Sequence, residues 1–539
     1  MSDNASENAP ETAVASNRRR VFMAAGLVGA LVLLSRIIGL GRLMFVRGAL
    51  GAGTLEAEAF EIANRIPETV FLIVAGGAVG AAFIPTFTAY FARDDKQGGW
   101  LLFSRILNLV VTAVTILALL AMIFADDLIL FLAGPKVAAD PALLPLTVFL
   151  MRIMLLSTII FGASSVIMAT LNARQHFFLP ALAPSVYNLG IILGGVMWLA
   201  TGRPLTAVGF AVGTVAGASG HLLIQLPGLK MKQAHYTPSF KIRDPGVIQV
   251  LRLMAPRVLG LSFSQINLII ITLLTNLMAW GSLVALNTAF RLIILPQGII
   301  GQALGIAAFP TMAALAARSA YDEMRQILAD SLRLLLFLGL PASVIFMFLG
   351  EQIITILFER GMFDAEATFM AANALFFYAL ALIPLMALEV TARTFYALKD
   401  TWTPVLVGAA QIIFMWILSV WLSQTVFPSL GLLSLGGVAL GFSISNFLEV
   451  GLLLLLLRRK IGGIDGRSLF NGFWRMGLAS AGMAFTIILI SQMLAEANIF
   501  LQLLVGSLAG GAVYVGLCYL LRLSELRRVM GYGRQRFVR

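Results

Sequence analysis

Apolar stretches of twenty or more residues recur along most of this 539-residue chain, broken only by short polar segments. The hydrocarbon core of a bilayer takes about 20 residues of helix to cross. Backbone placed in lipid must satisfy its own hydrogen bonds, so runs of this length fold as spanning α-helices. Stretches such as "LLPLTVFLMRIMLLSTIIFG" and "GLLLLLLRR" show none of the polar–apolar alternation of an outer-membrane barrel strand. Charged residues make up 12% of the chain and hydrophobic ones 59%; soluble domains carry about 25% charge.

The expected fold is an all-α polytopic membrane protein with 14 transmembrane helices. The spans fall near 22–46, 66–92, 102–125, 143–171, 179–200, 205–229, 247–279, 283–316, 327–349, 367–392, 403–424, 431–457, 471–493 and 499–521. Residues 1–20, polar and ending in Arg18–Arg20, read as a disordered N-terminal segment. The apolar span after them is too long for the core of a cleaved signal. Lys and Arg crowd alternate loops, including Arg93, Lys96, Arg174, Lys230, Lys232, Lys241, Arg243, Arg318, Arg393 and Arg458–Lys460. The opposite loops hold Arg47, Lys136, Arg203 and Arg360. By the positive-inside rule both termini are cytoplasmic. The net charge of +12 is therefore mostly topology and not a nucleic-acid surface. The basic tail 522–539 either flanks the last span or lies on the anionic leaflet.

Two windows repeat. "GGAVGAAFIPTFTAYFAR" (76–93) and "GQALGIAAFPTMAALAAR" (301–318) share Gly76/Gly301, Gly80/Gly305, Pro85/Pro310, Thr86/Thr311 and Arg93/Arg318 at an offset of 225. "LNARQHFFLP" and "FYALKDTWTP" align at 224 through Ala173/Ala397 and Pro180/Pro404. Six spans separate the copies, so both have the same topology. Two six-helix lobes follow, 21–229 and 247–458, joined by a cytoplasmic linker at 230–246. A C-terminal pair, 459–521, lies outside the repeat. Parallel repeats of this kind are a transporter architecture, with binding near the repeat interface. The Gly-x-x-x-Gly pairs at 76/80, 301/305 and 437/441 suit close helix packing.

Charges inside the spans carry the functional signal, because each is costly at bilayer depth. "SRIIGLGR" places Arg36 and Arg42 in the first span, ~9 Å apart along a helix and roughly 120° apart around it. Arg291 lies in the eighth span, in "NTAFRLIILPQGIIG". Arginines with little acid nearby suit an anion, and guanidinium geometry suits phosphate. Arg47, Glu58, Glu61 and Arg65 cluster near the outer ends of the first two spans and suit gating ion pairs; Arg47 and Arg65 also suit a plain interfacial position. The alternative for Arg291 is a structural role on loop carbonyls. Glu389 and Glu449 read as paired or interfacial, with proton carriage as the alternative. No nucleotide, metal or nucleophile motif is present, so no cofactor and no enzyme activity is expected. With one cysteine, Cys518, an intrachain disulfide is impossible.

With these residues in view, the chain resembles the MurJ (MviN) family of lipid II flippases, in the superfamily that includes MATE exporters and polysaccharide flippases. The resemblance runs over about 22–520. It rests on "SRIIGLGR", "AFIPTFTAYFA", "LNARQHFFLPALAPSVYN", "FRLIILPQGIIGQALGIAAFP", "LFERGMFDAEAT" and "YALKDTWTPV" in this order. It implies transport of lipid II, an undecaprenyl-pyrophosphate-linked precursor of peptidoglycan, by alternating access. It implies that Arg36, Arg42 and Arg291 hold the pyrophosphate, and that the last two helices form a groove for the lipid tail. Glu58, in "EAEAF", is the nearest match to the family's acidic residue after the first helix, with a one-residue insertion. The second span departs from the family pattern at Glu68, Phe71 and Gly76, and Phe290 stands where an acid usually precedes the arginine; Arg47 or Arg65 is the candidate compensation. The implied partners are lipid II and membrane lipids; with no ATP motif the drive is the membrane potential, a gradient of a monovalent ion or consumption of product, and nothing in the sequence argues against a monomer. The rival readings are a flippase for another polyprenyl-linked glycan, a MATE-like ion-coupled exporter, a membrane-embedded transferase and a non-transporting scaffold.

Overall fold

A computed structural model describes residues 9–74 and 78–527. Helices make up nearly all of it, and the isolated β-bridge among the described residues joins Arg360 and Phe363. The first ten helices are α1 (Ala9–Leu50), α2 (Leu55–Val74), α3 (Ala78–Ala92), α4 (Lys96–Ile123), α5 (Ala125–Ala139), α6 (Leu143–Ala173), α7 (Phe178–Ala200), α8 (Thr206–Leu223), α9 (Leu226–Met231) and α10 (Pro245–Thr275). They are followed by α11 (Ser282–Pro296), a π-helical turn (Gln297–Gln302), α12 (Ala303–Ala317), α13 (Tyr321–Phe348), α14 (Gly350–Phe358), α15 (Ala365–Ala379), α16 (Leu382–Ala397) and α17 (Trp402–Trp421). A second π-helical turn (Leu422–Val426) leads to α18 (Phe427–Ser429), α19 (Ser434–Lys460), α20 (Gly466–Met493) and α21 (Ile499–Leu520).

Among the described residues, eleven helices are long and apolar enough to cross a membrane, and the bent pair α15–α16 makes a twelfth span. The two other expected spans fall on α2–α3 and on α10. At the N-terminus, α1 begins at Ala9, inside the segment expected to be disordered. Alanines and arginines of "APETAVASNRRR" are good helix formers, and Pro10 sits in the first turn where its missing N–H costs nothing. Residues 1–8, Gly76 and most of the basic tail (528–539) lie outside the described residues.

The repeat read from proline and glycine extends to helix ends beyond the matched windows. At the offset of 225, α3 and α12 stop at equivalent positions, α4 and α13 start and stop at equivalent positions, and α5 and α14 start together. The ends of α1 and α10 coincide at the same offset. At 224, the ends of α6 and α16 and the starts of α7 and α17 coincide. The turns are equivalent as well. Asp94 (φ 60°) and Ser319 (φ 54°) each end a helix in the left-handed region, as do Gln175 (φ 55°) and Lys399 (φ 60°). Each is followed by a closing backbone bond, Asp95 N–H to Tyr90 O and Ala320 N–H to Leu315 O at 3.0 Å, His176 N–H to Leu171 O at 2.8 Å and Asp400 N–H to Phe395 O at 3.0 Å. This is the Schellman closure of a helix C-terminus, which satisfies the last carbonyls. Core positions repeat while their occupants change: Phe87 and Met312, Phe103 and Leu328, and Val110 and Leu335 are all buried.

The chain divides into two compact units, Met1–Leu50 with Leu55–Gln265, and Gly51–Thr54 with Ile266–Arg539. The boundary lies within α10, later than the linker expected at 230–246. The reason is packing: Val247, Val250 and Met254 of α10 are buried against Phe83, Phe87 and Phe103 of α3 and α4. In the first unit α7 and α8 approach backbone to backbone. A Cβ added to Gly190 would lie 2.3 Å from Gly217 Cα, and one on Gly194 would lie 2.4 Å from Gly213 Cα. These glycines, and not only the pairs expected at 80 and 305, make the tightest helix contact of that unit. In the second unit α20 and α21 pack on α13 through Phe337, Met476, Met483, Ile487, Tyr514 and the buried Cys518.

Candidate functional site

The charged cluster where α1 ends and α2 begins is built by helix ends brought together in the first unit. Arg47 and Glu61 form an ion pair at 2.7 Å, with side chains 1% and 9% exposed. Glu58, fully buried, accepts a hydrogen bond from Lys136 Nζ of α5 at 2.7 Å. Arg65 lies 3.9 Å from Glu68, one helical turn on. Glu56 Oε2 accepts from the backbone N–H of Ala207 at 2.7 Å. That bond caps α8, whose own N-cap residue, Leu205, has no side chain able to do so. Buried charges persist when each is paired and hydrogen-bonded, since removing one partner strands the other. Arg47, Glu58 and Arg65 are therefore engaged inside the unit, and Glu58 has Lys136 as a partner.

Sequence reading placed Lys136 in an outer loop. The structure buries it, 3% exposed, on the kinked helix α5. A signal was available. Lys136 was one of only four basic residues on the side that positive-inside counting leaves nearly bare, and such an exception asks for an acidic partner.

Arg36 and Arg42 lie on α1 inside the span Val28–Leu50, and both are half-buried. Between them, Gly39 faces the Asn188 side chain of α7, while a Cβ on Gly41 would meet nothing within 4 Å. In the second unit Arg291 is half-buried on α11. Its neighbour Phe290 meets Tyr378 and Phe442 edge-on at 5.7 and 5.6 Å, so the position where the family pattern has an acid is filled by aromatic packing. Glu389, read as paired, is paired: Arg393 binds it, and Gln297 at the start of the π-turn donates to it at 2.8 Å.

A helical bundle built from two repeated halves, with charges held inside its spans, is the architecture of a polytopic membrane transporter. Its fold matches a solved MATE-family multidrug transporter of the MOP superfamily, with TM-score 0.68, 15% identity and coverage of 81% of this chain and 98% of that one. It also matches a solved lipid II flippase MurJ in an inward closed conformation, with TM-score 0.74, 23% identity and coverage of 92% and 99%. The family model described as lipid II flippase MurJ matches residues 46–513. Among curated relatives, a probable lipid II flippase MurJ of Buchnera aphidicola subsp. Acyrthosiphon pisum is 29% identical over 498 residues, 90% of this chain and 95% of that protein. The lipid II flippase MurJ of Burkholderia cenocepacia is 28% identical over 444 residues, 82% and 84% of the two chains. That of Vibrio cholerae, named probable, is 30% identical over 449 residues, 81% and 82%. This chain belongs to the lipid II flippase MurJ family.

Proposed function

We propose that this protein carries lipid II from the inner to the outer leaflet of the bacterial cytoplasmic membrane by alternating access, with both termini cytoplasmic. The supporting observation is the family match over 46–513; Arg36, Arg42 and Arg291 are assigned by their motifs "SRIIGLGR" and "FRLIILPQGIIG". Arg36 and Arg42, half-buried within the span of α1, are assigned to the substrate pyrophosphate. Arg291 is assigned the same role. Arg47, Glu58 and Arg65 hold the outer ends of α1 and α2 in place through their ion pairs. The chain works as a monomer, and a monovalent ion or the membrane potential supplies the drive.

The test is rescue of bacterial cells depleted of their own lipid II flippase, with membrane levels checked. Wild type should rescue, and well-expressed Arg36→Ala, Arg42→Ala and Arg291→Ala should not. Rescue by all three would remove the arginine mechanism while leaving the family membership intact. Failure of well-expressed wild type would point to another polyprenyl-linked substrate.

A further inference from the structure

The segment between α9 and α10 is an extended strap held against α4. Thr237 N–H donates to Ser104 Oγ at 3.0 Å, and Asn108 Nδ2 donates to Ser239 O at 3.0 Å. Tyr236 Oη donates to Asn108 Oδ1 at 2.8 Å. Arg105 donates to Ser239 Oγ at 3.2 Å and pairs with Asp244 at 2.5 Å. The polar anchor positions are confined to Ser104, Arg105 and Asn108. From Ile106 to Ile123, α4 is apolar except for Asn108 and its threonines. That stretch is ~27 Å of helix, close to the hydrocarbon thickness of a bilayer. The anchors therefore sit where α4 leaves the hydrocarbon, and the strap lies at the height of the lipid headgroups.

The outer face of the strap has the chemistry of that layer. Tyr236, Phe240 and Ile242 are 56%, 64% and 53% exposed. Lys241 and Arg243 alternate with them and are exposed, and Lys230 and Lys232 stand just before. From Lys230 to Arg243 there is no Asp or Glu, and the first acid, Asp244, is neutralised by Arg105. Apolar and aromatic side chains interleaved with cations bind an anionic bilayer surface, the rings entering the headgroup–acyl boundary and the cations staying at the phosphates.

We propose that the strap 236–243 is a binding site for anionic phospholipid, with Phe240 and Ile242 inserted in the leaflet and Lys241 and Arg243 on the headgroups. It pins the first unit to the cytoplasmic leaflet, independently of what the protein carries.

The experiment places a bimane fluorophore at Phe240→Cys or, separately, Ile242→Cys in the full chain. The protein is held in nanodiscs of phosphatidylcholine alone or mixed with phosphatidylglycerol. Native Cys518 is buried and does not compete for label. A Lys96→Cys label in the α3–α4 turn, at a side chain 70% exposed, is the aqueous control. In phosphatidylglycerol, brominated lipid should quench the two strap labels and iodide should not; the control should behave oppositely. Each basic residue near an anionic leaflet is worth a factor of about five in partition. Adding Lys241→Gln and Arg243→Gln should therefore lower the ratio of inserted to water-exposed strap about thirty-fold. Iodide quenching equal to the control overturns the proposal. So does lipid quenching that is unchanged in phosphatidylcholine and in the glutamine variants, since insertion would then owe nothing to anionic headgroups. Shielding from both quenchers also overturns it, because a protein surface would then cover the strap.

Discussion

Replacing Lys136 by Met removes the ammonium group from Glu58, whose side chain is fully buried, while keeping the volume that α5 packs against. Breaking a buried ion pair from one side costs about 3–5 kcal/mol, because the remaining charge has lost its partner and regains no water. For a domain of this size each kcal/mol moves the unfolding midpoint by about 2–4 °C, so Lys136→Met should lower it by roughly 6–20 °C. Removing both charges is a different perturbation. Glu58→Gln with Lys136→Met replaces a pair by neutral groups of similar shape, and such replacements are often neutral or stabilising. The double variant should recover most of the loss. The assay is thermal unfolding of purified wild type, both single variants and the double variant in one detergent, read as a double-mutant cycle. A double variant as unstable as Lys136→Met alone would refute the electrostatic reasoning, since the cost would then come from lost packing on α5.

Three other outcomes follow from measured contacts. Gly194→Leu should cost about 3 kcal/mol or more and reduce the folded yield, because its Cβ would sit 2.4 Å from the Gly213 backbone; Gly41→Ala, facing open space, should leave stability unchanged or raise it by up to about 1 kcal/mol. Glu525, 4% exposed at its side chain, pairs with Arg333 Nε at 2.5 Å, and Arg333 also donates to Ser468 at 2.6 Å; Glu525→Ala should release the segment after α21 and speed tryptic cleavage at Arg522 and Arg527. Burial opposes the charge of Asp400, but hydrogen bonds from Lys460 and Thr403 outweigh it and hold its carboxyl down at about 2. With the folded pKa depressed, its contribution is complete above about pH 4 and lost as pH falls toward about 2. The stability gap between wild type and Asp400→Asn should close over that window.

Membrane character and the repeat were legible because both depend on residue type at fixed spacing. Pro85/Pro310 mark equivalent positions inside α3 and α12, Pro180/Pro404 mark equivalent first turns of α7 and α17, and leucine runs mark spans. The left-handed helix ends were not legible. Asp94, Ser319, Gln175 and Lys399 are ordinary surface residues, and it is the closing backbone bond that places them there. The ionic partners were partly legible. Glu58, Glu61 and Arg65 all lie on α2 and invite a local reading, yet Glu61 takes Arg47 from α1 and Glu58 takes Lys136 from α5. Those choices are made by how the helices pack, across 14 residues in one case and 78 in the other, and no periodicity within α2 contains them. Phe290 shows the same limit from the other side. It reads as a missing acid until Tyr378 and Phe442 are seen around its ring.

The glycine contact between α7 and α8 has a mechanical consequence. Helices separated by side chains shift past one another by re-choosing rotamers, as gears slip on a soft layer. Where Gly190 meets Gly217 and Gly194 meets Gly213 that lubricating layer is absent. Sliding would force peptide planes through each other's van der Waals surface. The two helices are thus one stiff beam, and any rearrangement of the first unit during a transport cycle has to be taken up at its ends and by the helices around it.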